Sequence, residues 1–498
     1  MRNLSLQDLV KGIAMLLLLI PVVGQAQQHH YWNAQFGARS SLMGGAVIAG
    51  ANDNSAIYYN PAALTVASNS SISLNANAYQ MAWFSMKDGL GSGYDLSGRS
   101  FDLYPQFASG SIDFKNPKLK VGYALLTREY SYLKMDERFE TFTDAIPGLP
   151  GDEEFIGSFE YLNRVNEQWA ALSVGYQLTP KVSVGLTQFF GYRSQTSRAT
   201  FTTEAVTSVP GNPFYIARVR QHEDVSYDNI KALWKLGFLF DFNRLKVGLT
   251  VTSPSVNINP AGLSTGTVRR EFSVENLNVF LPADLYPTFL ASDKQEELKS
   301  NYKYPLAVGL GIEYNTPKTK IAVAAEYFSE IAKYRVLNGI QRSVFRPSNV
   351  LQGLATDEFN SVVNHSKAVV NVAVGLEQVI TPKWSLLAGF RTDLNAFDYD
   401  VATAGATSVI GEIVTEPTFW DLYHFSLGVS INRKGSKMTI GASYYTNFAP
   451  NARQYSNYDS PKDFNFFEGT VNNNAKTSST GLRVIIGYTH YLKSKSDK

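Results

Sequence analysis

Residues 170–190, AALSVGYQLTPKVSVGLTQFF, contain the pattern that decides the fold of this chain. Apolar side chains occupy alternate positions on both sides of Thr179-Pro180, and mostly small or polar side chains fill the positions between them. The apolar positions are Ala170, Leu172, Val174, Tyr176, Leu178, Val182, Val184, Leu186 and Phe190. A period of two residues with one apolar face is the pattern of a β-strand. The stretch therefore predicts a hairpin of two strands joined by a very short turn.

The same pattern recurs along the chain around six short turns. Asparagine tolerates a left-handed backbone, and proline presets a turn dihedral while ending the ladder of a strand. The turns are Asn116-Pro117, Thr179-Pro180, Asn243-Arg244, Thr316-Pro317, Thr381-Pro382 and Asn432-Arg433-Lys434-Gly435. Six hairpins, one strand before them (Ser71 to Trp83) and one after them (Leu482 to Tyr491) predict fourteen strands.

The segments between the hairpins are long, polar and rich in Asn, Asp, Ser, Gly and Pro. They run approximately through 86–100, 132–160, 196–222, 255–300, 332–364, 396–418 and 448–478. Short connections at one end and long ones at the other are typical of an outer-membrane barrel, with short periplasmic turns and long external loops. An even number of antiparallel strands lets such a barrel close without a free edge. We therefore predict an all-β fold, a 14-stranded antiparallel transmembrane β-barrel over residues 71–498.

A soluble β-propeller or β-sandwich is the alternative architecture. A propeller is expected to repeat a signature at a blade period of about 40 to 50 residues, and no such signature is evident. The composition also favours the barrel: 18% of the residues are charged, 13% are aromatic, and the mean hydropathy is −0.15. Strands with one apolar and one polar face produce this middling hydropathy, whereas a bundle of membrane helices does not.

Charge and cysteine content exclude other classes of function. The chain of 498 residues has no cysteine, which rules out disulfides, thiolate catalysis and zinc–cysteine sites. It carries 45 basic and 43 acidic residues, a formal net charge of +2, and this balance gives no reason to propose nucleic acid as a partner. No serine–histidine spacing suggests a hydrolase, so we expect no enzyme activity and no cofactor.

The N-terminus has the features of an export signal. Arg2 and Lys11 precede an apolar run from Gly12 to Val23 that is too short to span a bilayer. Gly24-Gln25-Ala26 then offers small residues at the positions that a signal peptidase reads. We predict a signal peptide over residues 1–26, and hence an exported protein of the bacterial outer membrane with outer-membrane lipid around it.

Residues 27–70 do not alternate and are rich in small side chains, among them Gly44 and Gly45. Asn60 followed by Pro61 indicates a helix N-cap with proline at the first helical position. The glycines do not form a phosphate loop, because neither a G-x-G-x-x-G nor a G-K-[ST] motif is present. Small residues also recur on the opposite strand faces near the short turns, which leaves space inside the barrel. We predict an N-terminal plug of short helices and turns in the lumen; a plain periplasmic extension is the alternative.

Two motifs in this segment resemble a known family. Residues 37–46, GARSSLMGGA, and 52–62, NDNSAIYYNPA, are similar to the N-terminal hatch of the FadL/TodX outer-membrane transporters, with Ala63 in place of a glycine. The resemblance covers the hatch closely and the remaining chain through strand number and turn topology. It implies a plugged 14-stranded barrel for passive uptake of hydrophobic molecules such as long-chain fatty acids or aromatic hydrocarbons. It also implies a lateral gap at the third strand, which contains Gly122 but no proline.

The candidate ligand contacts lie at two places. The resemblance implies that the first hatch residues reach an internal pocket, which suggests Trp32 and Phe36. The loop stretch 279–290, VFLPADLYPTFL, is unusually apolar for an external loop, and exposed apolar patches often bind ligands. Its candidate capture residues are Phe280, Leu281, Leu285 and Phe289. Packing on neighbouring loops or lipid headgroups is the alternative for this stretch.

Strand alternation places several charged residues on the lumen side, among them Arg128, Arg193, Arg391 and Arg483. Of these, Arg128 and Arg391 are the candidates for a ligand carboxylate, because a bidentate contact is strong in a water-poor pocket. Pairing with lumen acids such as Glu326, Glu377 or Asp393 is the alternative. His29-His30 is too weak a pattern for a metal site.

The sequence thus predicts passive uptake of a hydrophobic small molecule. The alternative is an interaction barrel similar to the PorV-like components of type IX secretion systems, which would bind secreted protein cargo or a secretion machinery. That sister group shares the hatch and the strand number. A third reading is a structural barrel whose lumen is closed by side-chain pairing.

Overall fold

The structure, a computed structural model of the chain, describes residues 30–67, 70–207, 216–276, 288–346, 357–404, 411–415, 420–447 and 449–492. The predicted signal peptide, residues 1–26, lies outside the described residues. Within them no helix is both long and apolar enough to cross a membrane, a finding that has no bearing on strands.

Strands make up most of the described chain. They are β1 (Ser71–Lys87), β2 (Leu96–Asp113), β3 (Leu119–Thr143), β4 (Glu153–Thr179), β5 (Val182–Thr207), β6 (Ile216–Phe242), β7 (Leu245–Thr252), β8 (Val256–Ile258), β9 (Thr265–Glu275), β10 (Phe289–Lys299), β11 (Ala307–Asn315), β12 (Thr319–Phe328), β13 (Ile331–Leu337), β14 (Phe345–Arg346), β15 (Val362–Ser366), β16 (Val369–Thr381), β17 (Trp384–Asp393), β18 (Ile413–Val414), β19 (Leu422–Arg433), β20 (Ser436–Asn447), β21 (Ala449–Ala452) and β22 (Ala475–Tyr491). The described helices are α1 (Ala38–Leu42), α2 (Ala56–Tyr59) and α3 (Tyr399–Thr403), with 3₁₀ turns at Pro61–Val66, Pro260–Gly262, Glu358–Asn360 and Asp463–Asn465.

Fourteen of these strands form one closed antiparallel barrel. Each pairs with its successor, and β22 returns to pair with β1 from Ser71–Tyr491 to Lys87–Lys476. The barrel strands are β1 to β7, β11, β12, β16, β17, β19, β20 and β22. The predicted fold, a 14-stranded antiparallel barrel, is therefore confirmed. Closure leaves the barrel without the free edge that a bilayer does not tolerate.

All six predicted short turns join consecutive barrel strands. Asn243 has the left-handed backbone expected of asparagine in a turn, with φ at 67°. In the turn between β4 and β5, the Thr179 hydroxyl accepts hydrogen bonds from the backbone N–H groups of Lys181 and Val182. The Thr381 hydroxyl does the same between β16 and β17. We call the end of the barrel that carries these turns the short-turn end.

The outer face of the barrel is apolar near the short-turn end. On β4, Leu172 is 59% exposed, whereas the next residue, Ser173, is completely buried in the lumen. The same alternation continues around the wall, for instance at Leu310 and Val374. Farther from the turns the outward positions of β3 become charged, as at Lys134 and Arg138. An apolar band followed by a solvated wall is the outer surface expected of a membrane barrel.

The strands are longer than the sequence predicted. The segments 132–160 and 196–222 are mostly strand rather than loop, because β3 continues to Thr143, β4 begins at Glu153 and β5 continues to Thr207. On this part of β3 the inward residues Leu133 and Met135 are still apolar and buried. Since the outward face here is solvated, its charged residues make a strand resemble a polar loop in sequence.

Apolar packing closes the end of the barrel opposite the short turns. One buried cluster joins the strand ends to the segments 89–96, 145–149 and 452–467. Aromatic contacts in it include Phe155 with Phe467 and Phe139 with Tyr458. A small sheet of β13, β15 and β18 adds a second layer, in which β15 and β18 run parallel.

Residues 30–67, here called the plug, lie inside the barrel. Asn60 caps the 3₁₀ turn at Pro61–Val66 as the sequence predicted, because its Oδ1 accepts a hydrogen bond from the Ala62 N–H at 3.1 Å. The Asn60 amide also donates to the backbone oxygens of Ile48, at 2.9 Å, and Phe238, at 3.0 Å. Asn60 therefore fixes two parts of the plug to the wall.

The wall that faces the plug is built from small residues, as the sequence indicated. A Cβ atom on Gly185 would lie 2.4 Å from the carbonyl carbon of Pro61. On Gly375 it would lie 2.6 Å from the Met43 oxygen. Gly44 has φ at 67°, and a Cβ there would approach the backbone oxygen of Phe390 to 2.8 Å. The plug and the wall thus meet at backbone distance, which larger side chains would prevent.

Candidate functional site in the barrel lumen

The first described residues, 30–36, begin with a turn at residues 31–32 and form the segment of the plug that we call the arm. Trp32 and Phe36, the predicted pocket residues, are both buried there. The Trp32 indole Nε1 donates a hydrogen bond to Glu326 Oε2 at 2.7 Å, and its backbone N–H donates to Asp393 Oδ1 at 2.9 Å. The Phe36 ring lies 4.4 Å from the Tyr58 ring. The structure therefore places both residues inside the barrel, where their contact with a ligand stays a prediction.

Aromatic side chains surround this arm. Tyr31 stacks on Phe328 with ring centroids 4.4 Å apart, and the edge of Tyr304 approaches Tyr31 at 5.6 Å. Trp169 in turn lies 5.5 Å from Tyr304 and 5.3 Å from Phe189. Such a lining suits an apolar guest, because aromatic rings bury large areas.

Tyr302 and Tyr304 come from the non-strand segment 300–306, which enters the lumen between β10 and β11. The sequence did not predict this segment, because the connections at that end of the barrel were expected to be external loops. The feature that could have indicated it is the run Tyr302-Lys303-Tyr304-Pro305, in which aromatic side chains precede a proline.

Three buried arginines converge on the backbone of the arm. Arg128 Nη2 donates to the Tyr31 oxygen at 2.7 Å, and Arg391 Nε donates to the Trp32 oxygen at 3.0 Å. Arg391 Nη2 and Arg483 Nη1 both donate to the Asn33 oxygen, at 3.0 and 2.7 Å. The three arginines lie on β3, β17 and β22, three separate strands of the wall.

Neutral carbonyls are unusual partners for buried guanidinium groups. In the part of the chain that the structure describes, neither Arg128 nor Arg391 forms an ion pair, so the predicted alternative of pairing with lumen acids does not hold for them. Those acids form ion pairs with other residues. Glu377 Oε2 lies 2.7 Å from Arg39 Nη2, and Glu326 Oε1 lies 3.5 Å from Lys235 Nζ. Buried charge without a counter-charge is costly, so the arginines form a site that favours an anion.

His30 stands at the start of the arm beside Asp393. Its Nδ1 lies 2.8 Å from the Asp393 backbone oxygen and 3.7 Å from the carboxylate. Burial lowers the pKa of His30, but the Asp393 carboxylate raises it more, so the pKa lies above its ordinary value. The Asp393 carboxylate therefore favours the protonated form of His30. No group of three or more potential metal ligands occurs among the described residues.

A second charged layer lies beyond the arm. Arg193 Nη1 is 2.7 Å from Glu129 and 2.9 Å from Glu167, and Lys231 Nζ is 2.8 Å from Glu167. The Tyr302 ring lies under both cations, 4.0 Å from the Arg193 guanidinium carbon and 4.5 Å from the Lys231 nitrogen. The cations of this layer are thus paired with carboxylates.

The barrel wall is incomplete beside the arm. β2 and β3 pair only from Phe107–Leu126 to Asp113–Lys120, although both strands continue past Phe107 and Leu126. Beyond this point the described contacts are between side chains or from side chain to backbone. Tyr104 stacks on Tyr130 at 5.0 Å, and the Thr127 hydroxyl donates to the Pro105 oxygen at 2.8 Å.

Two local features explain the end of this ladder. Pro105 in β2 has no N–H group to donate. In β3, the pairing with β4 shifts between Thr127 and Glu129, so that Arg128 is an extra residue with its side chain in the lumen. The sequence analysis expected the gap in the third strand, which contains no proline. The proline beside the gap is Pro105 of β2.

The predicted capture residues of the apolar loop divide into two groups. Phe280, Leu281 and Leu285 lie outside the described residues. Phe289 begins β10 and is half-buried, with its ring 5.6 Å from Phe272 and 6.1 Å from Phe345. The alternative for this stretch was packing on neighbouring loops or on lipid headgroups, whereas the described neighbours of Phe289 lie in β9 and β14.

Comparison with known proteins gives the fold a context. No model of a known protein family matches the chain, and no curated protein sequence matches it. Among solved structures, a FadL homologue of Pseudomonas aeruginosa superposes with a TM-score of 0.53 at 14% identity, covering 94% of this chain and 99% of that one. The toluene transporter TodX of P. putida superposes with a TM-score of 0.57 at 12% identity, covering 92% of this chain and 99% of that one. The toluene transporter TbuX of Ralstonia pickettii superposes with a TM-score of 0.53 at 12% identity, covering 92% of this chain and 98% of that one.

These identities are too low to assign a substrate, but the superpositions span nearly whole chains. They show that the chain shares the overall fold of these proteins. The resemblance seen in the two hatch motifs is thereby confirmed at the level of the fold: this chain is a plugged barrel of the FadL/TodX type.

Proposed function

We propose that the chain is an outer-membrane channel for passive uptake of hydrophobic small molecules, such as long-chain fatty acids or aromatic hydrocarbons. It is exported through its N-terminal signal and embedded with the short turns toward the periplasm. The fold supports this proposal, because structures of the same architecture include toluene transporters. The apolar outer band and the aromatic lumen support it independently.

The observation that carries the proposal is the end of the β2–β3 ladder next to the arm. Phe107, the last residue of β2 in that ladder, lies 6.1 Å from Phe36 of the arm. Outside, the neighbouring residues Phe101 and Leu103 are 63% and 68% exposed, so apolar surface continues through the wall. Side-chain contacts separate more easily than a hydrogen-bonded ladder. A solute therefore leaves the lumen sideways at this place, into the bilayer.

The arm occupies the position that a solute would take. Its aromatic side chains lie in the aromatic lumen, and its carbonyl oxygens accept hydrogen bonds from all three arginines. Transport requires the arm to move, which exposes apolar surface and the arginines together. The lumen then matches a molecule with an apolar body and a carboxylate, because the carboxylate replaces the carbonyls as the arginine partner. This match favours fatty acids over neutral hydrocarbons among the proposed solutes.

A second candidate is the interaction barrel that binds a protein partner. The observation in its favour is that the plug and the outer apolar cluster fill the lumen at both ends in the described residues. The long solvated wall of β3 to β6 also offers a large surface for a protein. An interaction barrel does not need the arm to move.

Cross-linking across the β2–β3 gap tests the channel. Because the chain has no cysteine, a Tyr104→Cys and Tyr130→Cys pair joined by a short bifunctional thiol reagent reacts only there. The matched control joins Ser158→Cys to Thr202→Cys, which face each other inside the intact β4–β5 ladder. Uptake of labelled oleate or toluene is measured in a Gram-negative strain that lacks its own channel for the solute.

The channel predicts uptake by the unmodified barrel, loss of uptake on cross-linking residues 104 and 130, and no loss in the control. Equal uptake in both cross-linked proteins would rule out the sideways route. A folded barrel in the outer membrane that takes up neither solute, yet retains a stoichiometric protein partner on gentle extraction, would favour the interaction barrel.

A further inference from the structure

We propose that the short-turn end binds the anionic headgroups of phospholipids through a ring of cations. Every one of the six short turns contains or directly adjoins at least one exposed lysine or arginine. We call this set the basic rim, and its members are Lys115, Lys118, Lys181, Arg244, Lys318, Lys383, Arg433 and Lys434. The turns belong to hairpins that follow one another around the barrel, so the rim runs around its circumference except where β22 meets β1.

The cations of the rim have no acidic partners. None of the eight takes part in an ion pair within the described ranges, and the rim turns themselves contain no acidic residue. The nearest acids on the same hairpins are already engaged: Asp113 lies 3.5 Å from Lys120, and Asp241 lies 3.1 Å from Lys246. By contrast, exposed cations on the solvated wall, such as Arg138 and Arg198, do pair with acids.

The balanced net charge of the chain conceals this asymmetry. The whole sequence carries a formal charge of +2. The six turns contribute eight cations and no acid, whereas the rest of the sequence carries −6, so the turns have a local excess of positive charge. A one-sided cationic surface attracts anions over distances set by ionic strength.

Neighbouring side chains fix the depth of the rim at the membrane surface. Each turn adjoins outward-facing apolar or aromatic residues of the lipid band, as Lys383 adjoins Trp384, Lys318 follows Tyr314 and Arg244 follows Phe242. Aromatic girdles mark the interface between the hydrocarbon and the headgroups. The cations therefore stand at the depth of the lipid phosphates, which lysine and arginine bind through charge-assisted hydrogen bonds.

Lipid matches the distribution of the rim better than a protein partner does. A single protein would cover one sector of the barrel end, whereas the cations occur in all six turns and next to the lipid-facing surface of each. The lipid leaflet contacts the entire circumference at this depth. The eight unpaired cations favour an anionic lipid, because a zwitterionic lipid has no net charge to attract them.

Membrane insertion is the part of the proposed function on which this inference depends; transport is not required. The test uses the purified full-length barrel in vesicles, with spin-labelled phosphatidylglycerol or spin-labelled phosphatidylcholine as the probe. Electron spin resonance measures the fraction of each lipid immobilised at the barrel. The ratio of the two association constants reports selectivity.

The rim variant replaces six cations, one in each turn, by glutamine: Lys118, Lys181, Arg244, Lys318, Lys383 and Lys434. The matched control replaces six similarly exposed cations away from the rim by glutamine: Lys134, Arg138, Arg198, Arg220, Lys294 and Arg342. Both remove the same charge. Heat-modifiable mobility on gels identifies folded barrels, and a variant limited to Lys318, Lys383 and Lys434 serves if the full rim variant does not fold.

We expect the unmodified barrel and the control to prefer phosphatidylglycerol at least about twofold at low salt, and to lose much of that preference at about 1 M salt. The rim variant is expected to show a ratio near one, and the three-residue variant an intermediate ratio. A ratio of one for the unmodified barrel, or a preference that survives in the rim variant, would overturn the proposal. Failure to enter the vesicles at all would contradict membrane insertion instead.

Discussion

At the scale of single residues, the lumen is organised by arginines that donate hydrogen bonds to the backbone of the plug. Arg128, Arg391 and Arg483 each donate to a carbonyl oxygen of one short segment, residues 31–33. Hydrogen bonds from a charged donor are worth about 1.5–3 kcal/mol net, and an acceptor left unpaired in a buried site costs about 1–3 kcal/mol. The arm is therefore held strongly as long as the arginines are present, and an anion competes directly for the same donors.

Replacement of Arg391 tests this attachment. Arg391→Met removes donors to the Trp32 and Asn33 oxygens, and we expect the arm to open at least about tenfold more often, which corresponds to about 1.4 kcal/mol. Hydrogen exchange at the Trp32 amide, which is bonded to Asp393, measures the opening. Arg391→Lys keeps the charge and one donor nitrogen. We therefore expect its exchange rate at the Trp32 amide to lie between those of the unmodified protein and Arg391→Met. Unchanged exchange in Arg391→Met would show that the arm is held by packing alone.

These residues also show how much of the candidate site could be predicted from the sequence. Strand period places Arg128 and Arg391 in the lumen, because a side chain two positions from a lumen residue faces the lumen again. Their partners were not predictable, since residues 30–36 have no periodicity and their position depends on the closed barrel. The same reason applies to Tyr302 and Tyr304, which enter from a segment without strand pattern.

At the scale of elements, the hairpins were predictable from the sequence, whereas the strand ends far from the short turns were not. Within the bilayer an outward residue must be apolar, so the sequence shows clear alternation and the turns were identified in all six cases. Beyond the bilayer, water replaces lipid, and charged outward residues such as Lys134 and Asp136 obscure the alternation. Small lumen residues indicated a plug because only a close neighbour explains glycine at repeated inward positions, as at Gly185 and Gly375.

Gly185 offers a test of the contact between plug and wall. Gly185→Ala puts a methyl group 2.4 Å from the carbonyl carbon of Pro61, and backbone on both sides leaves little freedom to adjust. Overpacking of this kind costs about 1–3 kcal/mol, so we expect a lower unfolding temperature and faster proteolysis of the plug. Gly469→Ala is the matched control, because its added Cβ meets neighbours only at 3.4 Å or more. Equal behaviour of the two variants would mean that the plug is looser than this distance requires.

At the scale of the whole molecule, the barrel and its contents are held by different interactions. The hydrogen-bonded ladder closes from β1 to β22 without help from the plug, whereas the plug depends on packing, capping and the arginines. Two barriers lie in series along the lumen: the plug near the short turns, and the apolar cluster at the opposite end. A solute that enters from outside and leaves through the β2–β3 gap must pass the apolar cluster and displace the arm, but it need not pass the rest of the plug.

Removal of residues 30–67 separates the two barriers. Because wall pairing is independent of the plug, we expect the variant to fold into a barrel of lower stability that still shows heat-modifiable mobility. Its short-turn half is then a water-filled cavity lined by glycine, serine and threonine. Conductance in planar bilayers, measured against the silent full-length protein, reports whether the opposite end is closed. We expect brief, small openings, because the aromatic cluster around Phe155 and Tyr458 still blocks that end. A large, steady conductance would instead show that the plug is the barrel's one effective seal, and that a solute entering from outside meets no barrier before the arm.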